Sequence, residues 1–289
     1  MKELVVVSGK GGTGKTTITA SFTYLAKNKV IADCDVDASD MHLITAPDIL
    51  NTIPFKGRKK AVVNEDKCIS CGKCEPACHF DAISDINKIN PIKCEGCGVC
   101  DLVCPVDAID MVETIAGDLH ISESRYGPMI HARLRIGEEN SGQLVTLVRQ
   151  YAKIMSADRK KELIIIDGPP GTACPTTSAV TGTNLAVVVT EPTLSGLHDL
   201  KRVTDVIKHF RVEPVVIVNK YDINKNMTDK IQEYCNEKNI PLLGKIPFDK
   251  VVVEAMVAGK SIPEYYNGEL TIIIKEIWEK VYKLLTEVN

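Results

Sequence analysis

An apolar run, a glycine-rich loop and a helix follow one another at the start of the chain, and this succession constrains the fold more than any other feature. Leu4-Val5-Val6-Val7 is apolar, Gly9 to Thr16 fits G-x-x-x-x-G-K-[ST], and Ile18, Phe22 and Leu25 then recur at helical spacing. In the order strand, loop, helix, the pattern is a phosphate cradle. Gly9, Gly11, Gly12, Thr13 and Gly14 let the backbone turn its N–H groups inward around oxygens, and the helix start adds the positive end of its dipole. Lys15 is expected to reach the β- and γ-phosphates and Thr16 to hold Mg²⁺, with Thr17 closing the loop.

Lys10 directly follows the first glycine, giving G-K-G-G-T-G-K-T. This resembles the deviant Walker A loop of the MinD/ParA group, which includes Mrp-type ATPases and the nitrogenase iron protein. The resemblance implies an ATPase that works as a homodimer, slowly and under dimer or partner activation. It also implies that Lys10 reaches into the partner's nucleotide, as an arginine finger does when charge builds in the transition state.

Two acidic segments agree with this. Val30-Ile31-Ala32 reads as a strand ending in Asp33-Cys34-Asp35-Val36-Asp37, and strand C-ends face the ligand crevice in open α/β sheets. The resemblance makes Asp35 the residue that positions water, with Asp33 and Asp37 in support. Leu163-Ile164-Ile165-Ile166-Asp167 reads as a buried strand followed by Gly168-Pro169-Pro170-Gly171-Thr172. It resembles the Walker B and switch II element, in which Asp167 acts on Mg²⁺ through water and the loop from Gly168 senses the γ-phosphate.

A second pattern is built from cysteine. Cys68, Cys71, Cys74 and Cys78 recur 26 residues later as Cys94, Cys97, Cys100 and Cys104, and Asp81-Ala82-Ile83 recurs as Asp107-Ala108-Ile109. The duplicated spacing resembles a bacterial-type ferredoxin with two [4Fe–4S] clusters, in which the fourth cysteine of each run ligates the other cluster. That resemblance implies one cluster on Cys68, Cys71, Cys74 and Cys104, and another on Cys94, Cys97, Cys100 and Cys78. The alternative is a pair of zinc sites, which usually take separated C-x-x-C pairs. His79 stands where the ferredoxin pattern usually has proline, whereas Pro105 follows Cys104. Residues 64–113 carry ten acidic residues against four lysines, so the remainder of a chain of net charge −3 carries +3. A redox partner or cluster acceptor docking here would present a basic face.

The remaining segments read as scaffold and base site. Eleven cysteines without a signal peptide point to a cytoplasmic protein using metal or redox chemistry. Weak net charge favours neither nucleic acid nor an anionic membrane, and no apolar run has membrane-spanning length. Lys56 to Lys60 reads as a linker, Arg125 to Pro128 as a turn, His131 to Ile136 as a strand, and Asn140-Ser141-Gly142 as a helix cap. Asn219-Lys220-Tyr221-Asp222 resembles the N-K-x-D base-reading motif of GTPases. In the MinD group, an asparagine here contacts adenine, helped by backbone after an Ile-Pro segment such as Ile246-Pro247, so ATP is expected over GTP. Cys174, seven residues after Asp167, is either a ligand of a cluster shared between subunits or a packed or redox-active thiol. The tail from Leu270 to Val288 is helical by spacing, with apolar positions from Leu270 to Leu285, and reads as a helix packed on the sheet.

The expected fold is a doubly wound, mostly parallel α/β sheet of the P-loop type (1–57 and 114–289) with an inserted α+β ferredoxin domain (58–113). Three functions compete. Electron transfer through two clusters gated by ATP ranks first, because eight cysteines in a small module hold clusters too firmly to release. An iron–sulfur or metallocluster assembly ATPase ranks second, since the late C-x-x-C pair expected of Mrp-type carriers is lacking. A MinD/ParA-like spatial-positioning ATPase ranks third, on the balanced charge of the tail.

Overall fold

The computed structural model describes residues 1–85, 88–135, 137–138 and 142–287. The chain divides into two compact units: Met1–Thr52 with Leu119–Ala132 and Asn140–Asn289, and Ile53–Asp118 with Arg133–Glu139.

In the first unit, β1 (Lys2–Ser8) is buried from Leu4 to Ser8, as a strand covered on both faces must be. After the glycine loop come α1 (Lys15–Leu25), β2 (Lys29–Asp33) and α2 (Met41–Thr45). The long strand β3 (Asp48–Val63) carries the chain into the second unit, where β4 (Ile83–Asp85), β5 (Lys88–Ile89) and α3 (Val99–Leu102) lie, and β6 (Ile109–Ser124) brings it back. A turn at Arg125 and Tyr126 leads into β7 (Gly127–Leu134), followed by α4 (Gln143–Asp158), β8 (Leu163–Pro170) and α5 (Cys174–Val180). Then follow β9 (Leu185–Thr190), α6 (Leu194–His209), β10 (Glu213–Asn219), α7 (Lys225–Glu237), β11 (Leu242–Ile246), α8 (Val251–Val257), α9 (Ile262–Tyr265) and α10 (Glu269–Glu287).

The strand order is β11-β10-β9-β1-β8-β2-β7-β6-β3. Strand β1 lies parallel between β8 and β9, and β2 lies parallel to β8 and β7. Register puts Ser8 beside Pro170 and Asp33 beside Asp167, so the glycine loop and both acidic segments leave the same C-terminal edge of the sheet. One face of the sheet is closed by α1 and α10: Phe22 stacks on Trp278 at 5.2 Å, in a cluster with Leu4, Val6, Ile274 and Val281. Phe22 is fully buried, so its truncation would cost about 3–5 kcal/mol.

Several local expectations are corrected. Lys56 to Lys60 is no linker but the middle of β3; its lysines and arginine sit on a largely exposed strand, which hides the period of two. Strand β7 begins at Gly127, four residues earlier than expected, because the turn is only two residues long. Ile136 and the cap expected at Asn140-Ser141 lie outside the described residues, as does Val288 in the tail. The second unit also reaches beyond 58–113, since the paired ends of β3 and β6 and residues 133–139 belong to it.

Within the second unit, the 26-residue repeat is also a repeat of backbone geometry. Ser70 and Gly96, Gly72 and Gly98, and Asp81 and Asp107 form three pairs at that separation, all with positive φ. Cys68 N donates to Asn64 O and Cys94 N to Asn90 O, while Cys78 N donates to Glu75 O and Cys104 N to Asp101 O. The halves also exchange bonds: Asn64 N donates to Ala108 O and Asn90 N to Ala82 O. Each half thus closes the other, as two copies related by a local two-fold would.

Candidate functional site

The loop after β1 reaches α1 through Gly14, whose φ of 89° is left-handed. A Cβ on Gly14 would also lie 2.4 Å from Asn219 Nδ2, so side chains are excluded there twice over. No side chain caps α1, which leaves its first N–H groups facing the loop. Thr13 Oγ1 is buried without a protein partner.

Lys15 is the centre of the charged cluster. Its ammonium lies 3.0 Å from Asp167 Oδ1 and 3.2 Å from Asp35 Oδ2, with only 6% of the side chain exposed. Burial opposes that charge, but Asp167 and Asp35 outweigh it and hold the Lys15 pKa above its ordinary value. Thr16 Oγ1 donates to Asp167 Oδ2 and Thr19 Oγ1 to Asp167 Oδ1, both at 2.8 Å, so this carboxylate is fixed in orientation. Burial pushes Asp35 up, countered by Lys15. Asp33 is fully buried and, through burial and the neighbouring Asp167, is pushed up to about 8; it accepts from Ser39 Oγ and from Asp35 N. Asp33 therefore shapes the turn that presents Asp35. The hydroxyl of Thr16 beside two carboxylates is an oxygen donor set suited to a hard divalent cation such as Mg²⁺.

Lys15, Thr16 and Asp35 open onto a cavity of about 400 Å³, while Asp33 and Asp167 are buried behind its wall. Its polar lining includes Gly11 to Thr17, Asp35 and Asn219, and its apolar lining includes Ile246, Pro247, Phe248, Val252 and Met256. Phosphate-binding and ring-binding surfaces thus share one space. Gly9 and Lys10 do not line it. A Cβ on Gly9 would lie 2.4 Å from Asp199 Cβ, so this glycine lets the loop pass against α6. Lys10 ion-pairs with Glu191 and donates to Ser195 Oγ at 3.0 Å. Gly168, expected to begin the switch loop, instead lies inside β8, where a Cβ would be 2.7 Å from Val7 Cγ1. The strand continues to Pro170, which lines the cavity, and Gly171 N donates to Ser8 O.

The second unit gathers the cysteines in two groups. One cavity is lined by Cys68, Cys71, Cys74 and Cys104, the other by Cys78, Cys94, Cys97 and Cys100. Ala108 N donates to Cys104 Sγ at 3.2 Å and Ala61 N to Cys94 Sγ at 3.5 Å. Burial pushes the Cys74 and Cys100 thiols up, and neighbouring cysteines of the same quartet add to this. Among the described residues, no group of three or more His, Cys, Asp or Glu side chains closes to the spacing of a single metal ion. Of the other cysteines, Cys34 and Cys235 are buried and Cys174 is exposed. Burial pushes the Cys34 thiol far up and that of Cys235 to about 11. Cys174, being exposed, is not a packed thiol.

Sequence reasoning missed Glu191, Thr193 and Ser195, which receive Lys10, because only the fold brings the start of α6 to the loop. It also missed the bond from Phe248 N to Asp222 Oδ1.

The CobQ/CobB/MinD/ParA nucleotide binding domain family matches residues 4–262. An uncharacterised protein of Methanocaldococcus jannaschii is 38% identical over 98% of this chain and 97% of its own. Among solved structures, the septum site-determining protein MinD of Pyrococcus horikoshii, complexed with Mg-ADP, superposes with a TM-score of 0.60 at 22% identity, covering 98% of this chain and 96% of that one. A MinC:MinD complex of Aquifex aeolicus gives 0.58 at 15% identity, covering 98% and 96%. These matches support the doubly wound P-loop fold over the length of the chain. The family match is to a nucleotide binding domain, and the electron-transfer function ranked first from the sequence gains no support from these comparisons. The chain belongs to the CobQ/CobB/MinD/ParA nucleotide-binding domain family.

Proposed function

We propose that this protein is a Mg-ATP-dependent switch ATPase of the MinD/ParA kind, whose nucleotide state governs its dimerisation and its docking on a partner protein. The carrying observation is that Lys15, Thr16 and Asp35 line a cavity large enough for a nucleotide, with the buried Asp167 directly behind Lys15 and Thr16. Lys15 would bind the β- and γ-phosphates, Thr16 and Asp167 would hold Mg²⁺, and Asp35 would orient the attacking water. Phosphoryl transfer asks the protein mainly for positioning and charge compensation, which these residues are arranged to give. The relatives named for cell-division site selection lend support to spatial positioning as the output. Mg²⁺-dependent phosphate release, measured with the mass of the protein in ADP and in a non-hydrolysable ATP analogue, tests the reading. A protein that neither hydrolyses ATP nor changes mass would sink it.

A second reading is favoured by the cysteine quartets and the 26-residue repeat of backbone geometry. In it, the protein carries two [4Fe–4S] clusters, one on Cys68, Cys71, Cys74 and Cys104 and one on Cys94, Cys97, Cys100 and Cys78. Four thiols around each cavity, with N–H donors to Cys94 and Cys104, fit such a group. When bound, the clusters would supply one-electron chemistry, and the nucleotide switch would regulate access of a redox partner. Iron and sulfide analysis of anaerobically purified protein tests it: about eight irons per chain are expected, and zinc in their place rejects it. Cluster assembly for transfer to other proteins gains nothing from the structure, because the late Cys235 is single and buried.

A further inference from the structure

We propose that Asp222, although it stands in an N-K-x-D string, is a positioning residue that holds the Phe248 wall at the base end of the cavity and not a reader of guanine. The inference rests on the ATP-site reading above.

The last residue of β10, Asn219, and the turn Lys220–Asp222 after it tie two parts of the site together. Asn219 Nδ2 donates to Thr13 O at 2.8 Å, and Lys220 Nζ lies 3.4 Å from Gly12 O. Lys220 N donates to Asn219 Oδ1, which fixes the orientation of that amide. On the other side, Tyr221 N donates to Ile246 O at 3.1 Å and Phe248 N to Asp222 Oδ1 at 2.7 Å. The turn is thus a brace between the phosphate loop and the segment after β11.

Guanine is read by a carboxylate that accepts from N1–H and the 2-amino group together, so the acid must face the base. Asn219, Lys220, Ile246, Pro247 and Phe248 line the cavity, and Asp222 is not among the lining residues. Its carboxylate is engaged on the backbone of Phe248, a residue that lines the cavity. Asp249 does line the cavity, but its Oδ1 accepts from Val251 N at the start of α8. What faces a base is therefore largely apolar side chain and backbone, which suits the flat ring of adenine and its single exocyclic amine. Asp222 acts through Phe248, by holding that wall in place.

Equilibrium binding of fluorescent ATP, GTP and XTP analogues to the full chain with Mg²⁺ tests this. The unaltered protein should bind ATP at least about tenfold tighter than GTP. Asp222→Ala should weaken ATP about fivefold, the worth of one lost hydrogen bond. Asp222→Asn, whose amide oxygen still accepts from Phe248 N, should recover most of that loss and gain no affinity for XTP. Tighter binding of GTP, or a shift of Asp222→Asn toward XTP, whose 2-carbonyl would accept from the new amide, overturns the inference. So does Asp222→Ala binding ATP as the unaltered protein does. If none of the three nucleotides binds, the ATP-site reading falls, and this inference falls with it.

Discussion

Lys10 Nζ lies 2.5 Å from Glu191 Oε1, and this ion pair decides where the first lysine of the loop rests in a single chain. Glu191 also lies 3.6 Å from Lys220, so one carboxylate serves two cations of the nucleotide site. If Lys10 completes a partner's site, it must leave Glu191 first. Glu191→Gln keeps the size and removes the charge, and for a partly exposed pair it costs little stability, about 0.5 kcal/mol. The expected outcome is higher turnover per chain at low protein concentration, read as a leftward shift of activity against concentration. Lys10→Ala should lower turnover at least about tenfold while leaving ATP affinity within a few fold.

Lys15 and Asp35 should separate binding from chemistry. Lys15→Ala leaves Asp35 and Asp167 without the ammonium between them, and should abolish both ATP binding and turnover. Asp35→Ala should retain binding, since Asp167 still holds Lys15, and lower turnover about a hundredfold if its carboxylate positions the water. Isothermal titration and phosphate release, run side by side, give the two numbers.

The cysteine quartets predict which double substitutions hurt. Cys68→Ser with Cys104→Ser touches one cavity only, so about four irons per chain should remain. Cys94→Ser with Cys104→Ser touches both cavities and should leave almost none. Equal loss in the two variants would reject the crosswise grouping.

His131 makes the fold sensitive to acid. Burial, reinforced by His120 and His42, lowers its pKa from 6.5 to about 4, and its Nε2 lies 2.9 Å from Ser122 Oγ. Between those values the unfolded chain binds a proton that the folded chain refuses. Stability from this group is therefore full above about pH 6.5 and is lost as pH falls toward about 4, by at most about 3 kcal/mol. His131→Gln should flatten the fall of the urea midpoint between pH 7 and 4.5.

Legibility followed the range of the interactions involved. The glycine loop, the apolar strands β1, β8, β9 and β10 and the packed helix α10 were readable because local pattern and tertiary role coincide in them. Strand β3 was not, since its stability comes from its place in the sheet and not from its own apolar face. Gly168 falls in a strand and not at the start of a loop because the extent of β8 is set by its neighbours in the sheet, and a Cβ on this glycine would lie within 3 Å of Val7 and Val6.

By itself the sequence determined the glycine loop from Gly9 to Thr16 and the acids at the ends of two strands, since their spacing constrains local backbone. It also determined the order of the cysteines, whose 26-residue repeat returns as a repeat of φ and hydrogen bonds. Only the tertiary structure decided that Lys10 rests on Glu191 and that Asp222 holds Phe248. Those partners lie far from one another along the chain, and a contact between distant residues is fixed by packing, which no local spacing encodes.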